Sequence, residues 1–200
     1  MTDLVLVFAK VPGLGIAKSR LARAWGVERA EAIYSELLGC TAEAVKSLHH
    51  GIAYTGAEDP GALRDSFPRA SSWIPQRGDT LGDRLRNACA DAFSGGRECV
   101  CAIGCDCPEL HESDIHDALK RLRDGNDVVL GPASDGGYYL VACTRAGLVV
   151  FSATGWGQAS LCAETVDIAN AHGLRTSLLD VKSDVDEPSD YLHWKGTLDA

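Results

Sequence analysis

Leu4-Val-Leu-Val-Phe-Ala9, running straight into Lys10-Val-Pro-Gly-Leu-Gly-Ile-Ala-Lys18, is the stretch on which the fold turns. An unbroken apolar run of this length reads as a strand buried on both faces, the habit of parallel sheets. The Gly/Pro loop ends it. Beyond that loop, the positions of an apolar face at 30, 33, 34, 37, 38, 41, 45 and 48 recur at helical spacing. A second strand is expected at 51–55, a short helix or turn at 60–67 and a short strand at 72–75. Thr80-Leu-Gly-Asp83 has the T-x-x-D form of a capping box. The helix behind it is expected to bury Leu81, Leu85, Ala88, Cys89, Ala92 and Phe93. A strand at 98–104 and a helix at 113–123 follow. Strands at 127–131 and Tyr138–Cys143 are joined by Asp135-Gly-Gly137, which suits a hairpin, so the second of them is expected to run antiparallel. A helix at 159–172 should face inward through Leu161, Cys162, Thr165, Ile168, Ala169 and His172 before Gly173 stops it. A strand at 176–179 and a helix opened by Pro188 complete the chain. Strands alternating with helices imply an α/β sandwich with a mostly parallel mixed sheet and helices on both faces. No repeat or linker interrupts 1–200, so one domain is expected.

The composition agrees with a packed body. The chain has 200 residues, 46% apolar and 24% charged, which excludes disordered and fibrous classes. No apolar run approaches the about 18 residues of a membrane helix, and Met1-Thr-Asp-Leu-Val5 lacks the basic start of a secretion signal. Eight cysteines in such a chain read as reduced thiols of a cytoplasmic protein. The net charge of -9 argues against nucleic acid as a partner. Charge is uneven, however. Residues 10–29 hold Lys10, Lys18, Arg20, Arg23 and Arg29 against Glu28, which suggests a small-anion site. Residues 180–190 hold Asp180, Asp184, Asp186, Glu187 and Asp190 against Lys182, which suggests a cation site.

In parallel α/β sheets ligands gather at the carboxyl ends of the strands. Three loops expected there carry chemistry. In the first, Gly13 and Gly15 let the backbone approach an anion while Lys10, Lys18 and Arg20 supply charge and donors for phosphate oxygens. The plainer reading is an exposed basic turn. In the second, Ile103-Gly-Cys-Asp-Cys-Pro108, Asp106 directly follows a buried strand and reads as an oxygen ligand for a hard divalent ion or as an Asx-turn. In the third, Asp184-Val-Asp-Glu-Pro188, acids two apart share one face. Asp184 and Asp186 could complete a Mg²⁺ or Mn²⁺ site with Asp106, or cap the helix at Pro188. Asp135-Gly136-Gly137-Tyr138 is a turn first, though it also lets a substrate lie flat against the backbone. Trp156 is core or a stacking wall. Cys99, Cys101, Cys105 and Cys107 form C-x-C-x₃-C-x-C. That spacing fits no common zinc ribbon, so packing is the expected role.

Five motifs taken together resemble one family. Phe8-Ala-Lys-Val-Pro-Gly-Leu-Gly-Ile-Ala-Lys-Ser-Arg-Leu-Ala22, Gln76-Arg-Gly-Asp-Thr-Leu-Gly-Asp-Arg-Leu85 and Ile103-Gly-Cys-Asp-Cys-Pro-Glu-Leu110 resemble successive motifs of the DUF2064 family. So do Val128-Val-Leu-Gly-Pro-Ala-Ser-Asp-Gly-Gly-Tyr-Tyr-Leu140 and Asp184-Val-Asp-Glu-Pro-Ser-Asp-Tyr-Leu192. The family is also described as rSAM/selenodomain-associated glycosyltransferases of GT-A-like (Rossmann-like) fold. It is similar both to nucleotide-sugar transferases and to small nucleotidyltransferases such as the phospholactate guanylyltransferases. Cys105 stands where the family usually has Thr, and Gly157-Gln158 where Ser-Thr usually follows the tryptophan.

The resemblance implies roles. Lys10, Gly13, Gly15, Lys18 and Arg20 would hold nucleotide phosphates, with Gln76 and Gly82 near the base and ribose. Asp106 would bind the metal, with Asp186, or else Asp184, as the second acid. Asp135, Gly136, Gly137, Tyr138 and Trp156 would face the acceptor, and Asp135 would orient or deprotonate its hydroxyl. The implied activity is a Mg²⁺- or Mn²⁺-dependent glycosyltransferase acting between a nucleotide sugar and a small-molecule acceptor. The alternative is a nucleotidyltransferase that moves NMP from an NTP to a phosphorylated small molecule and releases pyrophosphate. A further alternative is a non-catalytic nucleotide- or metal-binding module. Neither nucleic acid nor membrane is expected as a partner.

Overall fold

The computed structural model describes residues 2–196, so Met1 and residues 197–200 of the expected domain lie outside it. Its seven-stranded sheet has β1 (Asp3–Lys10) near the middle, between β2 (His50–Thr55) and β4 (Cys99–Ile103), both parallel to it. β3 (Trp73–Pro75) adds outside β2. On the other side the order continues through β6 (Tyr138–Cys143), β5 (Val128–Pro132) and β7 (Thr176–Leu178). β6 pairs antiparallel with both neighbours, as the Asp135-Gly-Gly137 hairpin requires, while every other pairing among these strands is parallel.

β1 shows why the run 4–9 is apolar throughout. Val5 and Val7 join one core with α2 (Val27–Val45) and α5 (Glu112–Arg123). Leu4 and Leu6 join another with α4 (Leu81–Ser94), a 3₁₀ helix over Arg145–Ser152 and α6 (Leu161–Ala171). A strand clad on both sides has no solvent face for polar residues. α3 (Gly61–Arg64) and α7 (Pro188–Trp194) are short.

Four local expectations change. A helix, α1 (Ser19–Trp25), rises directly from the basic loop, and Gly26 separates it from α2. The 3₁₀ helix was not legible in the sequence; its apolar residues fill the space beside α4. Leu81 is 48% exposed, because the first residue of α4 overhangs the sheet edge. His172 is exposed at the carboxyl end of α6, where its Nδ1 lies 2.9 Å from Ile168 O.

Candidate functional site

The path of the chain after β7 explains how acids distant in sequence meet. Leu179 N donates to Leu130 O at 2.8 Å and Lys182 N to Pro132 O at 3.1 Å, so the segment runs along the end of β5. Val185 N then donates to Asp106 O at 2.8 Å, which stitches the acidic segment to the loop after β4. The Val185 side chain is buried against a small cluster containing Leu21, Ile33 and Leu37. With Val185 anchored inward, its neighbours Asp184 and Asp186 are presented on the Asp106 side.

Lys18 stands where they converge. Its side chain is only 2% exposed. The ammonium contacts Asp106 Oδ1 and lies 3.0 Å from Asp186 Oδ1. The backbone is left-handed (φ 50°, ψ 50°), unique to Lys18 among the described non-glycine residues. That conformation costs an L-residue about 1–2 kcal/mol. Burial by itself would lower the Lys18 pKa, but the charges of Asp106 and Asp186 outweigh it and the net shift is upward. The site therefore holds a charged ammonium. Asp184 is shifted for the opposite reason. Burial, then the charges of Asp106 and Asp186, push its carboxyl up to about 7 in spite of Lys18. Its Oδ1 is buried and has no hydrogen-bond partner.

Among the described residues no group of three or more His, Cys, Asp or Glu side chains is gathered closely enough to cage a metal ion, since Lys18 lies between two of the acids. The donor chemistry nevertheless fits a hard divalent cation. It is oxygen-only and anionic, and it includes a buried carboxylate oxygen that nothing in the protein satisfies.

Three hollows open on this point. One of about 520 Å³ is lined by Lys10, Lys18, Arg20, Gln76, Arg84 and Tyr34, with Asp106 and Asp186 at its floor. One of about 220 Å³ is lined by Trp156, Tyr138, Gly137, Leu85, Asp135 and Asp184, and it shares Phe8, Leu81 and Asp106 with the first. The third, of about 410 Å³, lies outside Asp135 and Asp184 against α7. Tyr138 and Trp156 meet edge to face at 6.0 Å, so Trp156 is both packed and part of the wall. Asp135 Oδ1 accepts from Gly137 N at 2.9 Å.

Several expected site residues are placed elsewhere. The N–H groups of Gly13 and Gly15 donate to Glu31 Oε2 and Oε1, each at 2.8 Å, and neither glycine lines a hollow. The loop is thus tied down by a carboxylate from α2 that takes the donors a phosphate was expected to use. Gly82 is buried; a Cβ there would run into the Trp156 ring and Phe151 O, so it makes room for the tryptophan and lines none of the three hollows. Gly136 (φ 89°) lies against the backbone of Ala159, and its carbonyl accepts from Cys162 N at 3.0 Å. It seats the hairpin on α6 and lines none of the hollows.

Other contributors were missed by sequence reasoning. Tyr34 OH accepts from Lys10 N (2.8 Å) and donates to Lys10 O (3.0 Å), fixing the end of β1. Glu164 accepts from Thr154 N and Gly155 N, both at 2.8 Å, and so anchors the Trp156 loop. No local signal marks either; each lies on a helix face whose polar residues look ordinary. Cys99, Cys101, Cys105 and Cys107 are buried. Burial pushes the Cys105 and Cys107 thiols up to about 12, so both stay protonated. Cys105 Sγ reaches Phe8 O at 3.6 Å in the place of the usual threonine hydroxyl.

This architecture, a mixed seven-stranded sheet with its acids and basic loop at the carboxyl ends of the strands, is that of the nucleotide-dependent transferases. A chain from Desulfovibrio desulfuricans G20, whose assignment as a nucleotide-diphospho-sugar transferase is itself provisional, superposes with a TM-score of 0.88 at 28% identity. The match covers 98% of this chain and 88% of that one. The family model described as "Uncharacterized protein conserved in bacteria (DUF2064)" matches residues 40–158, and the chain belongs to that family. The matched span contains Asp106 and Asp135 but neither Lys18 nor Asp186. More distant structures share the fold. The 4-diphosphocytidyl-2C-methyl-D-erythritol synthase of Anaerococcus prevotii DSM 20548 has a TM-score of 0.63 at 11% identity, covering 100% of this chain and 99% of that one. The glucosyl-3-phosphoglycerate synthase of Mycobacterium tuberculosis, solved with Mn²⁺, UDP and glucosyl-3-phosphoglycerate, has a TM-score of 0.58 at 13% identity, covering 96% and 75%. No curated protein matches the chain. Among the described residues no helix is long and apolar enough to cross a membrane.

Proposed function

We propose that the protein is a divalent-metal-dependent glycosyltransferase that moves a sugar from a nucleotide sugar to a small acceptor in the cytoplasm. The observation that carries the reading is the meeting of Asp106, Asp184 and Asp186 beside the Lys18 ammonium, with one buried carboxylate oxygen unsatisfied. In this reading the 520 Å³ hollow takes the nucleotide, with Lys10, Lys18 and Arg20 toward its phosphates and Gln76 toward the base. Gln76 Nε2 donates to Ala53 O at 2.8 Å, so the side chain is held in place before any ligand arrives. Held by Asp106 with Asp184 and Asp186, Mg²⁺ or Mn²⁺ would supply Lewis-acid stabilisation of the departing diphosphate. The 220 Å³ hollow is below the size of a whole-ligand pocket and suits the single transferred sugar beside Trp156.

Asp135, on the wall of that hollow, accepts the proton of the acceptor hydroxyl. The hydroxyl oxygen bonds to the anomeric carbon, and the bond from that carbon to the diphosphate oxygen breaks. Its electron pair leaves with the nucleoside diphosphate, whose charge Lys18 and Arg20 face.

The deciding experiment is a thermal-shift panel of nucleotide sugars, nucleoside diphosphates and NTPs, each with and without Mn²⁺. A ligand that binds only the folded state raises the melting temperature. We expect a metal-dependent rise with at least one nucleotide, lost in Asp106→Asn. An unchanged rise in that variant refutes the metal assignment. Release of nucleoside diphosphate on turnover supports glycosyl transfer, whereas pyrophosphate release from an NTP makes the enzyme a nucleotidyltransferase instead.

A further inference from the structure

The outer hollow of about 410 Å³ has no part in the account so far. It is contiguous with the 220 Å³ one, because Asp135 and Asp184 belong to the walls of both. It also meets the 520 Å³ hollow at Arg20 and Asp186, so an acceptor entering through it would reach Asp135 from beside the phosphate end of the nucleotide. Building on the glycosyl-transfer reading, we infer that this hollow is the acceptor subsite and that it takes an uncharged polyhydroxyl or amine-bearing molecule and excludes phosphorylated and carboxylated ones.

The charge on the wall carries the argument. Glu109, Asp135, Asp184, Asp186, Glu187 and Asp190 line the hollow, and the cation among the lining residues is Arg20. That guanidinium stands 3.8 Å from both Asp186 and Glu187, so it is already shared between two of them. A divalent ion at Asp106, Asp184 and Asp186 would still leave the wall net negative. Fixed charges of one sign at the mouth of a cleft repel a ligand of that sign and concentrate the other. Lys182 sits behind the wall, bound to Asp114 at 3.2 Å, and Lys195 is drawn to Glu36 at 2.6 Å. Lys195 also lies 3.9 Å over the Trp194 ring, and neither lysine is among the residues that line the hollow.

The remaining lining supports the same class. Ser134, Ser183 and Ser189 add hydroxyl-bearing side chains to the lining, and Trp194 and His193 add rings from α7. Hydroxyl and carboxylate acceptors around an aromatic wall suit the O–H, N–H and C–H groups of a sugar, an aminosugar or a similar polyol. The buried, partnerless Asp184 Oδ1 is at the inner end of this wall.

The test uses one skeleton in three charge states: glucosamine, glucose and glucose 6-phosphate. Binding to the full chain is measured by saturation-transfer NMR titration with Mn²⁺ and whichever nucleoside diphosphate raises the melting temperature. The glucosamine and glucose complexes are expected to be at least about tenfold tighter than that of glucose 6-phosphate. Ser189→Trp, which fills the hollow from an exposed helix position, should abolish their binding while the nucleotide-dependent thermal shift stays. Glu109→Gln with Glu187→Gln should narrow the discrimination against the phosphate and leave the fold intact. Equal or tighter binding of glucose 6-phosphate to the unaltered protein overturns the inference. So does binding of none of the three, or sugar binding indifferent to both variants. If no nucleotide shifts the melting temperature, the transferase reading has failed by itself, and the sugar titrations without nucleotide still decide the charge preference of the hollow.

Discussion

At Lys18, backbone and side chain make opposed demands. The left-handed backbone and the buried ammonium are both unfavourable taken alone, and the two carboxylates outweigh the burial of the charge. Lys18→Met keeps the aliphatic volume but leaves Asp106, Asp184 and Asp186 facing one another. Removing one partner of a fully buried pair costs about 3–5 kcal/mol. Here Asp106 and Asp186 are nearly half exposed, so we expect roughly 1–3 kcal/mol, read as a lower urea midpoint, together with loss of transferase activity. Asp184 gives a prediction with a definite sign. Its folded pKa is raised, so the folded state binds the proton more tightly than the unfolded chain does. The stability it contributes is fully present below the unfolded value near 3.8 and is lost as pH rises through about 7. In metal-free protein, Asp184→Asn should therefore gain stability relative to the unaltered chain between pH 5 and pH 8, roughly, with no gain near pH 4. A stability difference flat across that range would show that Asp184 titrates normally. Asp106, Lys18 and Asp186 were all singled out in the sequence, because each follows or precedes a recognisable loop signal. Their direct contact was not, since it depends on the backbone bond from Val185 to Asp106. The glycine loop misled for a related reason: nothing in Gly13-Leu-Gly15 announces that Glu31, one helix further on, will take its N–H groups.

Elements position these residues through their ends. Thr80 caps α4 by accepting from Asp83 N at 3.1 Å, while the Asp83 carboxylate accepts from Thr80 N at 3.1 Å. The first residue behind the cap, Leu81, reaches into both inner hollows. Thr80→Ala should cost about 1 kcal/mol of global stability. It should also weaken nucleotide binding in a thermal-shift titration, whereas Thr80→Ser should restore both. The hairpin between β5 and β6 depends on Gly136. Gly136→Ala drives a Cβ into the Ala159 backbone at a positive φ, so a loss of roughly 2–4 kcal/mol is expected in denaturant melts. Strand and helix existence was readable from apolar spacing, and the cap from its T-x-x-D spacing. The inward face given to Leu81 was wrong because periodicity continues to a helix's first residue even where the element has already left the core.

The molecule as a whole gathers the candidate site at one edge of its sheet. Six strands deliver their carboxyl ends there, and β6, running the other way, begins there with Tyr138. The proposed metal would compete with the proton on Asp184, so a Mn²⁺-dependent rise in melting temperature should grow between about pH 5.5 and pH 8, and EDTA should abolish it. A rise independent of pH would remove Asp184 from the metal site. The family motifs made this edge recognisable, yet the matched span stops before the acidic segment. The return of that segment along β5 has a consequence for biosynthesis. Asp184 and Asp186 leave the ribosome long after Lys18 and Asp106, so the nascent chain carries an incomplete charge set until that segment emerges. On the proposed reading a newly made molecule would gain its ion and nucleotide only after that segment has emerged, and a chain truncated before Asp184 would keep all seven strands yet lack two of the three acids.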